Sequence, residues 1–278
     1  MLFQAHVKPF RAFVTAAFIV CVFSYAPSQG QGVKLDVHFV PTPEHVVERM
    51  LEMAKVTKDD FVIDLGSGDG RIVIAAAKRG ARGFGVDLDP QRIKEAIANA
   101  KNAGVEDRVT FRQQNLFKTD LSKASVLTMY LLTILNAKLR PHLLELKPGT
   151  RIASHAFDMG EWMPDRHEII NGVHAYLWIV PAKVQGRWQV QNGERTFTVE
   201  IKQQFQMIEG TAQFGDTYIP LRETALRGNE IRFLIEDDNG VSTRFHGRID
   251  GHRIEAVPPA AGVDTPRPAG NWQASQTS

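Results

Sequence analysis

Three evenly spaced glycines between two apolar runs constrain this chain more than any other feature. Phe61-Val62-Ile63-Asp64-Leu65 leads into Gly66-Ser67-Gly68-Asp69-Gly70, and Arg71-Ile72-Val73-Ile74-Ala75-Ala76-Ala77-Lys78 follows. The first run reads as a buried strand ending in an acid, and the last as a buried helix. Between them, glycine lets the backbone turn tightly and approach a ligand with no Cβ in the way. A strand–turn–helix of this kind can be a plain structural corner. The next stretch argues for more. Ala81-Arg82-Gly83-Phe84-Gly85-Val86-Asp87 reads as a second strand that also ends in an acid. An acid in that place can take both hydroxyls of a ribose.

The identity of the nucleoside ligand follows from how the turn departs from other patterns. A dinucleotide fingerprint sets its second and third glycines three apart and uses the helix N-terminus for a pyrophosphate. Here the glycines alternate, Asp69 lies inside the turn and Asp64 precedes it. Two carboxylates repel a pyrophosphate and suit a ligand with cationic groups. No Gly-Lys-Ser/Thr closes the turn, which excludes a phosphate-binding Walker loop. S-adenosylmethionine, which carries an ammonium and a sulfonium, meets these constraints.

The run Asp64-Leu65-Gly66-Ser67-Gly68-Asp69-Gly70 resembles the first motif of the class I S-adenosylmethionine-dependent methyltransferases. Val40-Pro41-Thr42-Pro43, Gly85-Val86-Asp87-Leu88-Asp89-Pro90 and Ser154-His155-Ala156-Phe157-Asp158-Met159-Gly160 narrow the resemblance to one subfamily. It holds the small mitochondrial protein-lysine methyltransferases of membrane proteins and their bacterial relatives. The resemblance covers about residues 35–180. It implies an α/β fold, a Rossmann-like class I methyltransferase sheet with helices on both faces.

By this resemblance, Thr42 and Pro43 approach the cofactor from the segment that covers it. Gly66, Ser67, Gly68 and Gly70 shape the amino-acid end of its site, and Asp64 lies near the ammonium. Asp87, with Leu88 beside it, holds the ribose, and Asn115 and Leu116 meet the adenine. Each has a plainer alternative: a helix start at Thr42-Pro43, and a polar turn with a tucked apolar residue at Asn115-Leu116. The strand around Ala124–Leu132 ends at Met129-Tyr130-Leu131-Leu132, where acceptor chemistry belongs in this fold. It lacks the Asn-Pro-Pro-Tyr type of loop that serves nucleobase or glutamine amines. Tyr130, His155 and Asp158 are the candidates for steering the acceptor's proton. A core tyrosine and a structural histidine are the competing readings.

At 278 residues the chain can bury one large domain or two modest ones. A formal net charge of +2, with no concentrated basic tract, gives no footprint for nucleic acid. The one cysteine, Cys21, lies in an apolar run (residues 12–23) that follows Lys8 and Arg11 and precedes Ser24-Tyr25-Ala26. That layout reads as a secretory signal over residues 1–26, so the protein is expected to be exported or periplasmic. An uncleaved membrane anchor is the alternative. Export sits awkwardly with a cofactor made in the cytosol. Without Cys21 the mature chain has no thiol for a disulfide, a nucleophile or a metal, and no metal is expected.

Residues 27–39 read as a spacer and 40–181 as the cofactor-binding domain. After Pro181 the pattern changes to short extended segments separated by Asn192-Gly193, Gly215-Asp216, Gly228-Asn229 and Asp250-Gly251. This predicts a small antiparallel β domain over 182–257, a meander or barrel. Residues 258–278 read as a flexible tail, with a closing strand near 271–273 because Asn271-Trp272-Gln273 echoes Arg187-Trp188-Gln189. The expected activity is methyl transfer to a protein lysine. A small-molecule or lipid-like acceptor is the first alternative, and an exported binding protein on an inactive scaffold the second. A dehydrogenase is the remotest. Envelope or membrane association is expected from the leader.

Overall fold

A computed structural model describes residues 39–237, 240–258 and 267–277, which fall in one compact unit. The leader (residues 1–26) and nearly all of the spacer lie outside the described residues. Helix α1 (Glu44–Met53) precedes β1 (Phe61–Leu65), α2 (Arg71–Lys78), β2 (Arg82–Asp87), α3 (Pro90–Asn102), β3 (Val109–Gln113) and β4 (Val126–Met129). Then come α4 (Thr133–Leu143), β5 (Arg151–His155), β6 (Arg166–Ile170) and β7 (Val173–Ile179). The seven strands form one sheet in the order β3-β2-β1-β4-β5-β7-β6. Pairing is parallel from β3 to β5 and antiparallel for β7 and β6. This is the Rossmann-like class I methyltransferase sheet.

Side chains along a strand alternate between faces, so each central strand feeds two cores. Val62, Val126, Ala153 and Leu177 pack with Val47, Met50 and Leu51 of α1. Ile63, Leu127, Ile152 and Trp178 pack on the other side with Leu139 and Leu143 of α4. Helices therefore cover both faces. Helix α4 begins at Thr133 and runs through Pro141. The missing N–H of Pro141 falls in the last turn, where little helix remains to be broken. Among the described residues no helix is long and apolar enough to cross a membrane.

The rest of the chain forms a second sheet. Its strands are β8 (Gly186–Asn192), β9 (Arg195–Gln204), β10 (Met207–Phe214), β11 (Thr217–Pro220), β12 (Arg222–Arg227), β13 (Glu230–Glu236), β14 (Ser242–Asp250), β15 (Arg253–Ala256), β16 (Arg267–Pro268) and β17 (Trp272–Thr277). The order is β11-β10-β9-β8-β17-β15-β14-β13-β12, with β16 parallel to β14 and every other pair antiparallel. The sheet curls until β10 and β12 touch, joined by the Thr224 hydroxyl to the Ile208 carbonyl at 2.7 Å. Its apolar filling includes Trp188, Phe197, Phe233, Phe245 and Trp272. The chain end read as a tail carries β17, inserted between β8 and β15, because Trp272 and Ala274 alternate into that filling. The spacer between β15 and β17 lies outside the described residues over 259–266. One hairpin lacks any of the glycine turns read from the sequence: β9 turns back at Phe205-Gln206 to start β10.

Candidate functional site

The strand order reverses between β1 and β4, and in open α/β sheets ligands bind beyond the strand ends at such a point. The N–H groups of Gly66 and Ser67 both donate to the Val86 carbonyl at 2.9 Å, which closes the turn against β2. Gly68 has φ of 50°, where L side chains are strained. A Cβ there would lie 2.2 Å from the Phe39 ring, so the chain entering α1 packs directly on the turn. The Arg92 guanidinium lies 4.6 Å from the centre of the same ring.

Strand β1 is bracketed by two buried aspartates in contrasting states. At its start, Asp60 accepts from the Thr57 N–H, the Ser125 hydroxyl and Arg151. Burial pushes its pKa up, but Ser125, the Thr57 backbone and Arg151 outweigh this and hold it below the ordinary value. At the other end, Asp64 is 2 % exposed and accepts one hydrogen bond, from the Thr128 hydroxyl at 2.7 Å. Burial pushes it up to about 7, and the like charges of Asp87 and Asp69 add to that against the Thr128 bond. Asp60 is balanced by protein, whereas no cation among the described residues pairs with Asp64.

Two further carboxylates organise the rim. The Asp87 Oδ2 accepts from the Gly68 N–H and its Oδ1 from the Asp89 N–H, both at 2.9 Å. One side chain thus ties the glycine turn to the loop after β2. Asp69 is gripped by Arg71, with Nε to Oδ1 at 2.9 Å and Nη2 to Oδ2 at 2.5 Å. Burial alone would raise the Asp69 pKa, but the Arg71 bonds and charge bring it below its usual value. Arg71 also donates from Nη1 to the Thr42 carbonyl at 2.9 Å, clamping the segment before α1.

Aromatic groups form the opposite side. The Thr42 hydroxyl and His155 Nδ1 are 3.0 Å apart, both residues buried. The Tyr130 ring lies 3.8 Å from the His155 ring and 5.9 Å from Phe157, centre to centre. Burial lowers the His155 pKa to about 4, so the ring is neutral at pH 7.

A cavity of about 240 Å³ lies between these groups. Of the residues predicted from sequence, Thr42, Asp64, Gly66, Ser67, Asp87, Leu88, Leu116 and Tyr130 line it. Pro43 instead precedes α1, its carbonyl accepting the Val46 and Val47 N–H groups. Gly68 and Gly70 act behind the wall as turn residues, and His155 supports Tyr130 from outside it. Asn115 does not face the cavity, because its Oδ1 caps the short 3-10 turn Leu116–Lys118 through the Phe117 N–H. Its neighbour Gln114 lines the cavity instead. Asp158 lies off the wall, its Oδ1 accepting the Gly160 N–H at 3.1 Å. Sequence reasoning missed Phe39, Arg92 and Leu135, and nothing in their local pattern marks them as facing a ligand.

The residues fit S-adenosylmethionine on three observations. Asp64 is an acid in search of a cation, which an ammonium supplies. Ser67 Oγ is buried with no hydrogen-bond partner among the described residues, as a hydroxyl kept for a ligand would be. Gly66, with φ of 81°, leaves the floor of the cavity without a side chain. Among the described residues no group of three His, Cys, Asp or Glu could hold a metal ion.

Comparison with known proteins agrees. Residues 64–166 match the ANTKMT methyltransferase domain family. A protein-lysine N-methyltransferase from Saccharolobus islandicus is 52% identical over 131 residues, covering 46% of this chain and 81% of that protein. The adenine nucleotide translocase lysine N-methyltransferase of Mus musculus is 32% identical over 137 residues, covering 48% of this chain and 58% of the mouse protein. An RNA methyltransferase from Salinibacter ruber, solved with S-adenosyl-L-homocysteine, is 55% identical with a TM-score of 0.51. That match covers 52% of this chain and 96% of the solved one. From its strand ends, its unbalanced acid and these relatives, the chain belongs to the family of S-adenosylmethionine-dependent methyltransferases that includes the archaeal protein-lysine N-methyltransferase.

Proposed function

We propose that the enzyme methylates the side-chain amine of a protein lysine, with the cofactor lying across the ends of β1 and β2. The observation that carries the placement is Asp64, a buried carboxylate that lines the cavity without a cation among the described residues. Asp64 would balance the cofactor's ammonium. Asp87, already aligned by two backbone N–H groups, would take the ribose hydroxyls with its remaining lone pairs. Ser67 and the turn would meet the amino-acid end, and Leu88, Leu116 and Gln114 the adenine. When bound, S-adenosylmethionine supplies a methyl group made electrophilic by a cationic sulfur.

The chain's own part is alignment and desolvation. Tyr130, Phe157, Leu132 and Leu135 give the cavity an aromatic and aliphatic wall suited to a lysine stem. Taking an ammonium into such surroundings lowers its pKa, so the acceptor sheds its proton to solvent before it is aligned. Aromatic faces then hold a methylated ammonium well. The neutral His155 keeps Tyr130 in place through ring contact while Thr42 fixes its Nδ1.

The Salinibacter relative makes RNA the rival acceptor. Arg71 and Arg92 line the cavity but are paired with Asp69 and Asp89, while Asp64 and Asp87 have no cationic partner among the described residues, which disfavours a phosphate backbone there. The apolar leader motivates one more proposal, that the enzyme works at the cell envelope. The deciding experiment incubates purified full-length protein with methyl-labelled S-adenosylmethionine and three fractions: membrane extract, total RNA and extracted lipid. We expect label in protein, mapped to lysine by mass spectrometry. Label confined to RNA or to solvent-extractable material overturns the lysine reading.

A further inference from the structure

The curled sheet lies outside the family match at residues 64–166, and the Salinibacter relative is covered almost whole by about half of this chain. One of its turns reaches the loop that carries part of the cavity wall. The hairpin between β9 and β10 pairs Gln204 with Met207, so its loop is Phe205-Gln206 alone. Phe205 has φ of 55°, a conformation that two-residue hairpins ordinarily assign to glycine, asparagine or aspartate. A phenylalanine held there needs a reason outside the turn.

The reason lies in what the turn touches. The Phe205 ring stacks on Trp162, with centres 6.0 Å apart and planes 19° apart. Arg140 of α4 lies 5.4 Å over its centre. The Gln206 Oε1 accepts from Trp162 Nε1 at 2.9 Å, and its Nε2 donates to the Met163 carbonyl at 2.7 Å. Trp162 and Met163 lie in the segment 156–164 of the loop that leaves β5 and carries Phe157 into the cavity wall. The same loop is held from the other side by Asn136 to the Phe157 and Asp158 carbonyls, and by Arg140 to the Met159 carbonyl. Arg140 therefore touches both the loop and the intruding ring.

We propose that Phe205 and Gln206 are positioning residues for methyl transfer. They fix the loop 156–164, and with it the Phe157 wall on the acceptor side of the cavity, leaving the cofactor side to the glycine turn. The proposal rests on the methyltransferase reading above and names the element that shapes its acceptor entrance. The curled sheet is on this account a brace for the acceptor loop, so its loosening should act on the acceptor and spare the cofactor.

The test uses the full chain as wild type, Gln206→Ala, Phe205→Ala and Phe205→Tyr. Amide hydrogen exchange over residues 156–164 is read by mass spectrometry with no acceptor present. Binding of S-adenosylhomocysteine is titrated, and methyl transfer into membrane extract is measured in parallel. Exchange in the loop should rise about tenfold in both alanine variants and return in Phe205→Tyr, which keeps the stack. Affinity for S-adenosylhomocysteine should stay within about twofold, while transfer falls about tenfold. Unchanged loop exchange in Gln206→Ala, or cofactor affinity falling in step with transfer, overturns the proposal. A wild type that labels no extract defeats the acceptor reading instead, and the exchange result still decides the role of the hairpin.

Discussion

Every buried polar or charged side chain among the described residues, from Thr42 to His155, belongs to the parallel-sheet half, and none to the curled sheet. The curled sheet is filled by aromatic contacts such as Phe233 stacked on Phe245, centres 4.9 Å apart and planes nearly parallel, with Trp272 edge-on to both. Burying a polar group costs free energy unless a partner offsets it. A half of the molecule that tolerates so many, and leaves Asp64 without a cation and Ser67 without a partner among the described residues, is arranged around something other than its own stability. The other half gives up nothing of the kind. Its strained turn at Phe205 points back toward the first.

This contrast breaks most sharply at Gly68. Gly68→Arg puts a side chain into the Phe39 ring at a positive φ, so S-adenosylhomocysteine binding should weaken by at least about a hundredfold, as calorimetry would show. Binding within a few fold of wild type would mean that the turn does not frame the ligand. The mirror-image test is Phe245→Ala in the second core. It should cost about 3–5 kcal/mol of stability in denaturant unfolding and leave cofactor affinity within about twofold. A large loss of affinity there would couple the two halves more tightly than the Phe205–Gln206 hairpin accounts for.

Asp87→Ala sharpens the comparison within the site. It removes the acceptor of the Gly68 and Asp89 N–H groups and the proposed ribose anchor. Binding of S-adenosylhomocysteine should weaken by about tenfold to a hundredfold, with the circular dichroism of the fold unchanged. Unchanged affinity would remove the ribose assignment.

How far these features were legible in the sequence depends on whether local chemistry settles them. The glycine turn, the acids at the ends of β1 and β2 and the order of helices and strands are written in short runs with few solutions. For β17 the echo of Arg187-Trp188-Gln189 at Asn271-Trp272-Gln273 marks only the start of a strand that runs to Thr277. Asn115 was misleading because a side-chain amide two residues before an N–H can cap a turn as readily as meet a ligand, and sequence does not separate the two. Asp158 was misleading in the same way, since its carboxylate turns back to Gly160. Phe39 and Arg92 reach the cavity only through tertiary packing, the first from a segment that precedes α1 and the second from α3. The hairpin at Phe205 escaped notice because the position lacks the glycine that usually marks such a turn.

The acid at the end of β1 gives the most direct test of the central claim. Its folded pKa stands at about 7 against an ordinary 3.8, so the folded state holds a proton that the unfolded state releases. Stability is then fully present below about pH 4 and declines as pH rises to about 7, by roughly 4 kcal/mol at 1.36 kcal/mol per pKa unit. A cationic ligand should bind the ionised form, so its affinity should fall by about tenfold per pH unit below about 7. Asp64→Asn cannot ionise. The decisive measurement is calorimetric titration of S-adenosylmethionine into wild type and Asp64→Asn across pH, with thermal unfolding of the ligand-free proteins alongside. The account predicts a variant that is more stable than wild type at neutral pH, binds the cofactor more weakly and has lost the pH dependence of binding. A variant that binds as tightly as wild type, with the same pH profile, would contradict it.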